Sequence, residues 1–159
     1  FLKDAFKILM NGTEDDVIEY IERCRTEFKS LPPAEVAFPR TVSNVEKWKS
    51  SSEMYLKGCP IHVRGAILYN HWTKKKEIDH KYASINNGEK IKFCYLKTPN
   101  WMHENVISFI QDFPTELDLD KHIDYELQFN KSFLEPVKVI LDCIGWETER
   151  KNTLESFFS

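Results

Sequence analysis

No stretch of this sequence comes near the roughly 20 consecutive apolar residues that cross a bilayer, so no transmembrane helix is predicted. The opening FLKDAFKILMNG does not begin with Met and mixes acidic with basic residues. It has neither the basic-then-apolar order nor the small-residue cleavage site of a signal peptide. Cys-x-x-Cys pairs are absent: Cys24, Cys59, Cys94 and Cys143 stand far apart. That spacing favours reduced thiols, packed as small hydrophobes in a cytosolic protein, over a disulfide framework. Cys59 with His62 offers two metal ligands at most, too few for a zinc site. A Gly-rich phosphate loop and a Ser-His-Asp arrangement are missing as well. There are no internal repeats, low-complexity tracts or domain linkers. These absences argue against a helical membrane protein, a P-loop enzyme, a zinc module and a disulfide-stapled fold.

What is present is an ordinary globular balance. The 159 residues are 42% hydrophobic and 30% charged, which suits one folded domain rather than a disordered chain. The net charge of −3 speaks against a polyanionic partner, but the sum hides a segregation. Residues 1–39 carry 5 basic and 8 acidic groups, residues 40–97 carry 12 and 5, and residues 98–159 carry 5 and 12. A basic middle between acidic flanks is the pattern of a local electrostatic footprint. The run Lys74-Lys75-Lys76 supplies part of that excess, and chance clustering is the blander explanation.

Leu2, Phe6 and Leu9 stand at helical spacing and predict a helix over 1–10, ended by Gly12. Thr13 should cap a second helix, with Glu14, Asp15 and Asp16 at the positive end of its dipole. Val17, Tyr20, Ile21, Cys24 and Phe28 give that helix one apolar face, and Leu31-Pro32-Pro33 stops it. Residues 34–39 read as a short extended segment. Ser43 and Glu46 have capping-box spacing for a short helix through about Trp48. Residues 49–58 read as a loop, and Pro60 as the start of a helix to about Thr73. Asn87-Gly88 marks a turn before a strand over 90–97, and a second strand is predicted over 106–110. Helical periodicity returns from about His122, with Phe133, Val137, Ile140, Leu141 and Ile144 as a stripe and Pro136 as a break or a new start. The predicted class is α+β, mostly α, with a small β element between N- and C-terminal helices.

The stretch KGCPIHVRGAILYN, residues 57–70, concentrates the chemistry. From Pro60 to Trp72 the predicted helix is apolar nearly all round, so it should be buried. Its polar groups must then emerge at its ends. The N-terminal end has unpaired N–H groups and the positive pole of the helix dipole. Lys57, His62 and Arg64 add positive charge there, which makes an anion site suited to phosphate. Arg64 is suited to gripping two oxygens, and Lys57 to acting as a point charge. The Ser43 cap, with Asn44 and Lys47, makes a second site of the same kind. The alternative is structural, with Arg64 paired to a buried carboxylate and His62 capping its own helix.

AFPRTVSNVEKW (37–48) followed by KGCPIHVRGAILYN (57–70) resembles the thumb of the family B replicative DNA polymerases of T-even-like bacteriophages. The GEKIKFCYL strand (88–96), the segment with Tyr125, Lys131, Phe133 and Pro136, and a short aromatic tail follow in the same order. The likeness runs from about residue 13 to Ser159. It implies a helical thumb subdomain over 1–150 and a clamp-binding tail over 151–159. It implies contacts from Ser43, Asn44, Lys47, Lys57, His62, Arg64 and Lys131 to the backbone and minor groove of a primer-template duplex. Glu135 stands where the family usually has a basic residue. In the tail, Leu154, Phe157 and Phe158 fall on one side of a helical turn, which suits a groove on a partner. The family's C-terminus binds the sliding clamp; the alternative is a tail folded back on its own core. Ser159 is expected to be the natural end of the chain.

Family B catalysis needs paired carboxylates holding two divalent metal ions. The Asp-Thr-Asp signature of that palm is absent, and Asp118-Leu-Asp120 reads as an acidic loop. The chain is therefore expected to have no catalytic residues, metal or cofactor of its own. Its expected partners are primer-template DNA, the sliding clamp and the palm and fingers of a polymerase, in the cytoplasm of an infected bacterium. The competing reading is a protein-interaction module without DNA contact, using the acidic C-terminal third and the aromatic tail.

Overall fold

The structure is a computed structural model that describes residues 1–149. It is α+β and mostly helical, with one three-stranded antiparallel sheet among the described residues. The chain divides into two compact units, one from residues 1–30 and 129 onward, the other from residues 31–128.

The first unit is helical. Helix α1 (Leu2–Asn11) ends where Gly12 donates to the Ile8 carbonyl at 2.6 Å. Helix α2 (Glu14–Lys29) starts with the capping box expected at Thr13. The Asp16 N–H donates to Thr13 Oγ1, and the Thr13 N–H donates to Asp16 Oδ2. Val17, Tyr20, Ile21, Cys24 and Phe28 are all buried, as the spacing predicts. Phe28 meets Phe129 edge to face at 5.4 Å between centroids, and Phe129 meets Phe133 at 5.1 Å. A π-helical segment (Asn130–Leu134) precedes α7 (Glu135–Cys143), the last helix described. Pro136 lacks an N–H and crowds the preceding turn, and a widened turn there accommodates it. In the apolar stripe, Phe133, Val137 and Leu141 are buried, but Ile144 is 50% exposed.

The second unit packs one long helix on the sheet. One turn of helix, α3 (Pro33–Val36), and strand β1 (Phe38–Thr41) occupy residues expected to form a single extended segment. A further turn, α4 (Val45–Trp48), is followed by loop 49–58 and by α5 (Ile61–Lys75). Strand β2 (Lys90–Tyr95) is central, with β1 on one side and β3 (Val106–Phe109) on the other. The turn before β2 uses Gly88 at φ +84°, and α6 (Tyr125–Phe129) closes the unit. All four residues of β3 are buried, and α5 lies against that strand. The approach is close because Gly65 has no side chain. A β-carbon there would collide with Ser108 Oγ and stand 2.8 Å from the Ser108 nitrogen. Ser108 Oγ donates to the His62 carbonyl at 2.9 Å, which pins the first turn of α5 to the sheet.

Two side-chain amides, Asn70 half-buried and Gln128 buried, tie the periphery to this core. Asn70 on α5 accepts from the Ile85 N–H at 2.7 Å and donates to the Ile85 carbonyl at 2.9 Å, holding the loop before β2. Gln128, fully buried, accepts from the Tyr95 N–H at 2.9 Å and donates to the Val36 carbonyl at 2.7 Å. Of the four free cysteines, Cys24 and Cys94 are buried as expected, while Cys143 is exposed. Burial pushes the Cys94 thiol up to about 12, so it is inert at neutral pH.

Candidate nucleic-acid interface

Helix α5 starts at Pro60, which has no side chain to cap it. Its first-turn N–H groups therefore have no intrahelical acceptors. Lys57 precedes it in an exposed turn, where Gly58 takes φ +86°, a conformation most side chains avoid. His62 is half-buried. Burial and the neighbouring Arg40 guanidinium hold its imidazole below the usual histidine range, against a backbone hydrogen bond at Thr41 that favours the charged form. It is thus a neutral hydrogen-bonding group at pH 7, in place of the positive charge expected from sequence.

Arg64 is also more committed than its sequence position suggests. One Nη2 hydrogen bond goes to Asn105 Oδ1 at 2.6 Å, and the guanidinium lies 5.5 Å from the Tyr55 ring centroid. Its Nε is buried without an acceptor among the described residues. The Tyr55 hydroxyl donates to both carboxylate oxygens of Glu104, at 2.9 and 3.0 Å. Arg64 therefore ties loop 49–58 to the segment before β3, as well as bringing charge to this surface.

The Ser43 capping box does not form. Asn44, in the left-handed region at φ +58°, immediately precedes α4, and no side chain of its own caps that turn. The Val45 N–H is taken by Asn87 Oδ1 at 2.8 Å, 42 residues away. A single turn whose leading donor is already used offers no helix-terminus anion site. Ser43, Asn44 and Lys47 nevertheless stand exposed, and Lys47 Nζ sits 5.1 Å over the Trp48 ring.

Loop 49–58 brings the two candidate stretches together. The Leu56 N–H donates to the Trp48 carbonyl at 2.8 Å, and Lys49 pairs with Tyr55 as an isolated antiparallel bridge. The Trp48 ring lies 4.0 Å from where a Gly58 β-carbon would stand. Trp48 and Gly58, the sequence neighbours of Lys47 and Lys57, thus meet across one closed loop. Neither lysine has a carboxylate partner among the described residues, whereas Lys49 is paired with Glu46 at 2.9 Å.

Arg40 is a member of this surface that sequence reasoning passed over. It is exposed on β1, 5.7 Å over the Phe93 ring and near His62. The available signal was a lone arginine within the AFPRTV stretch, beside a proline that marks an edge strand. Lys131 is exposed on the π-helical segment and belongs to the other compact unit. Leu154, Phe157 and Phe158 lie outside the described residues. Among the described residues, no three His, Cys, Asp or Glu side chains converge as a metal site. No helix there is long and apolar enough to cross a membrane.

No protein-family model matches the chain. Its sequence is 24% identical over 161 residues to a DNA-directed DNA polymerase of Enterobacteria phage T4. The match takes in 99% of this chain and spans 17% of that polymerase, so the chain is similar, from end to end, to one part of a DNA polymerase.

Proposed function

We propose that this chain is a non-catalytic part of a family B DNA polymerase, its thumb, which grips the primer-template duplex through the sugar-phosphate backbone. The observation that carries the reading is the closure of loop 49–58, which joins the exposed Lys47 and Lys57 stretches beside the uncapped start of α5. Similarity along nearly the whole chain to a DNA-directed DNA polymerase supports the same conclusion. Ser43, Asn44, Lys47, Lys57 and His62 contact phosphates, Arg40 joins them, and Lys131 adds a contact from the other unit. Arg64 orders the surface and offers part of its charge. Leu154, Phe157 and Phe158 dock in a groove of the sliding clamp. The palm and fingers supply the metal ions and the chemistry, in an infected bacterial cell.

The mechanism is electrostatic. Lysines and arginines displace counterions, so affinity falls with salt, and phosphate contacts carry no base code. With about four phosphate contacts, log affinity against log salt has a slope of roughly −3 to −4. Fluorescence anisotropy with a labelled duplex at several salt concentrations tests this. The Lys47→Ala/Lys57→Ala variant should bind more weakly, with a slope shallower by about 2. Binding that is absent, or indifferent to salt, overturns the proposal.

A further inference from the structure

Loop 49–54 runs beside the second half of α5 and leaves a groove of about 520 Å³. Lys49 and the hydroxyls of Ser50, Ser51 and Ser52 line one wall, and His71 and Lys74 the other. A neighbouring hollow of about 510 Å³ shares Lys49 and Lys74 and continues to the side-chain amides of Asn86 and Asn87. The carboxylates along these walls are Glu46, already paired with Lys49, and Glu53. Lys74 has no ionic partner among the described residues. His71 packs edge to face on Trp72 at 4.9 Å; burial and Lys75 lower its pKa, leaving it a neutral hydrogen-bonding group.

Beyond the groove, two indoles seat the last lysines of the helix. Trp72 and Trp101 meet edge to face at 4.8 Å. Lys75 Nζ lies 5.3 Å from the Trp72 ring centroid, and Lys76 Nζ lies 5.2 Å from that of Trp101. A cation held over a ring keeps its charge while losing reach and freedom. The three ammonium groups therefore ring the C-terminal turn of α5, Lys74 on the groove and Lys75 and Lys76 over the two indoles, with Glu77 and Asp79 following in sequence. Hydroxyls, amides and ammonium groups along an open trough match a sugar-phosphate strand. Met54 and Ile67 add an apolar part to the same groove.

The 15 residues of α5 span about 21 Å at 1.5 Å per residue. At 3.4 Å per nucleotide step, that is about six base pairs. We propose that the groove, with Lys74 on its wall and Lys75 and Lys76 on the turn that ends it, forms a second phosphate track, holding the same duplex about six base pairs beyond the Lys47/Lys57 contact. The inference rests on the DNA-gripping reading and adds a second set of contacts to it.

Binding of the full chain to hairpin duplexes with stems of about 4 and about 20 base pairs separates the two ideas, because only the long stem spans about six base pairs. On the long duplex, Lys74→Gln/Lys75→Gln/Lys76→Gln should bind about tenfold more weakly, with a salt slope shallower by about 2 to 3. On the short duplex it should match wild type. The Lys→Arg version at the same three positions keeps the charge and should restore long-duplex binding, with circular dichroism verifying the fold of each variant. A Lys→Gln variant that matches wild type on both lengths, or that loses equally on both, overturns the second track while wild-type binding leaves the first contact standing. Wild-type protein that binds neither duplex removes both.

Discussion

His62 and His71 sit at opposite ends of α5, and both imidazoles are held below the usual range, chiefly by burial. In the unfolded chain each takes up a proton as pH falls through about 6.5. The folded chain resists that uptake, so the unfolded state binds more protons and stability drops as pH falls below that value. Glu116, held low by its hydrogen bond from Lys81, acts in the same direction only below the ordinary carboxylate range. Melting temperature should therefore be flat between about pH 7 and 8, below the range where unfolded thiols ionise, and decline between about pH 6.5 and 5. The His62→Gln/His71→Gln variant should decline less across that window. Equal losses in variant and wild type would assign the effect to other groups. Arg64 shows why the residue scale was hard to read in advance. Its acceptor, Asn105, lies 41 positions along the chain, and nothing local to KGCPIHVRG announces it. Thr13 is the opposite case: its capping partner is three residues away, so the sequence pattern and the structure coincide.

Among the elements, α5 and β3 depend on one missing side chain. A β-carbon at Gly65 would press on the Ser108 backbone nitrogen at 2.8 Å and the Ile107 carbonyl carbon at 3.1 Å, neither of which rotates away. Gly65→Ala gains up to about 1 kcal/mol in helix propensity. Separating helix from strand costs about 1–3 kcal/mol as overpacking, and in this buried setting that cost outweighs the gain. The variant should lower the urea midpoint; a raised midpoint would mean that propensity wins. Elements with local signals were legible: the α1–α2 hairpin, the long buried helix, the Asn87-Gly88 turn and the strand after it. Strand β1 was not, because Phe38-Pro39-Arg40-Thr41 has no alternation and contains a proline, tolerated at a sheet edge. The pattern Ser43-x-x-Glu46 was legible but wrong: the turn starts at Val45 after a left-handed Asn44, one residue out of register for the box, and a side chain 42 residues distant takes the Val45 N–H. The coarse location of the candidate surface could be read from charge; its inner wiring could not, because Tyr55, Glu104 and Asn105 are joined only by folding.

At the scale of the whole molecule, the two compact units differ in what they leave uncovered. The unit built from both ends exposes Phe6 and Met10 on α1 and Val139 on α7, with Ile144 just beyond it. Phe6, Leu9 and Ile140 line one small hollow between those helices. Apolar surface of this kind marks a contact site, and on the proposed reading the rest of the polymerase covers it. In isolation the chain should associate as its concentration rises. Sedimentation over a range of concentrations should show the shift, and Phe6→Ser/Met10→Ser should suppress it without changing duplex affinity. A wild-type chain that stays monomeric throughout would remove this surface from consideration.

The unit assembled from both ends also dictates an order of events during synthesis. Helices α1 and α2 leave the ribosome with Val17, Ile21 and Phe28 ready to be covered, but Phe129, Phe133 and Leu141 belong to the same unit and come much later. At about 5–20 residues per second, the intervening hundred or so residues take roughly 5–20 seconds to emerge. Throughout that interval the middle unit can complete itself, while the nascent hairpin remains a client for any chaperone that recognises bare aromatic and aliphatic side chains.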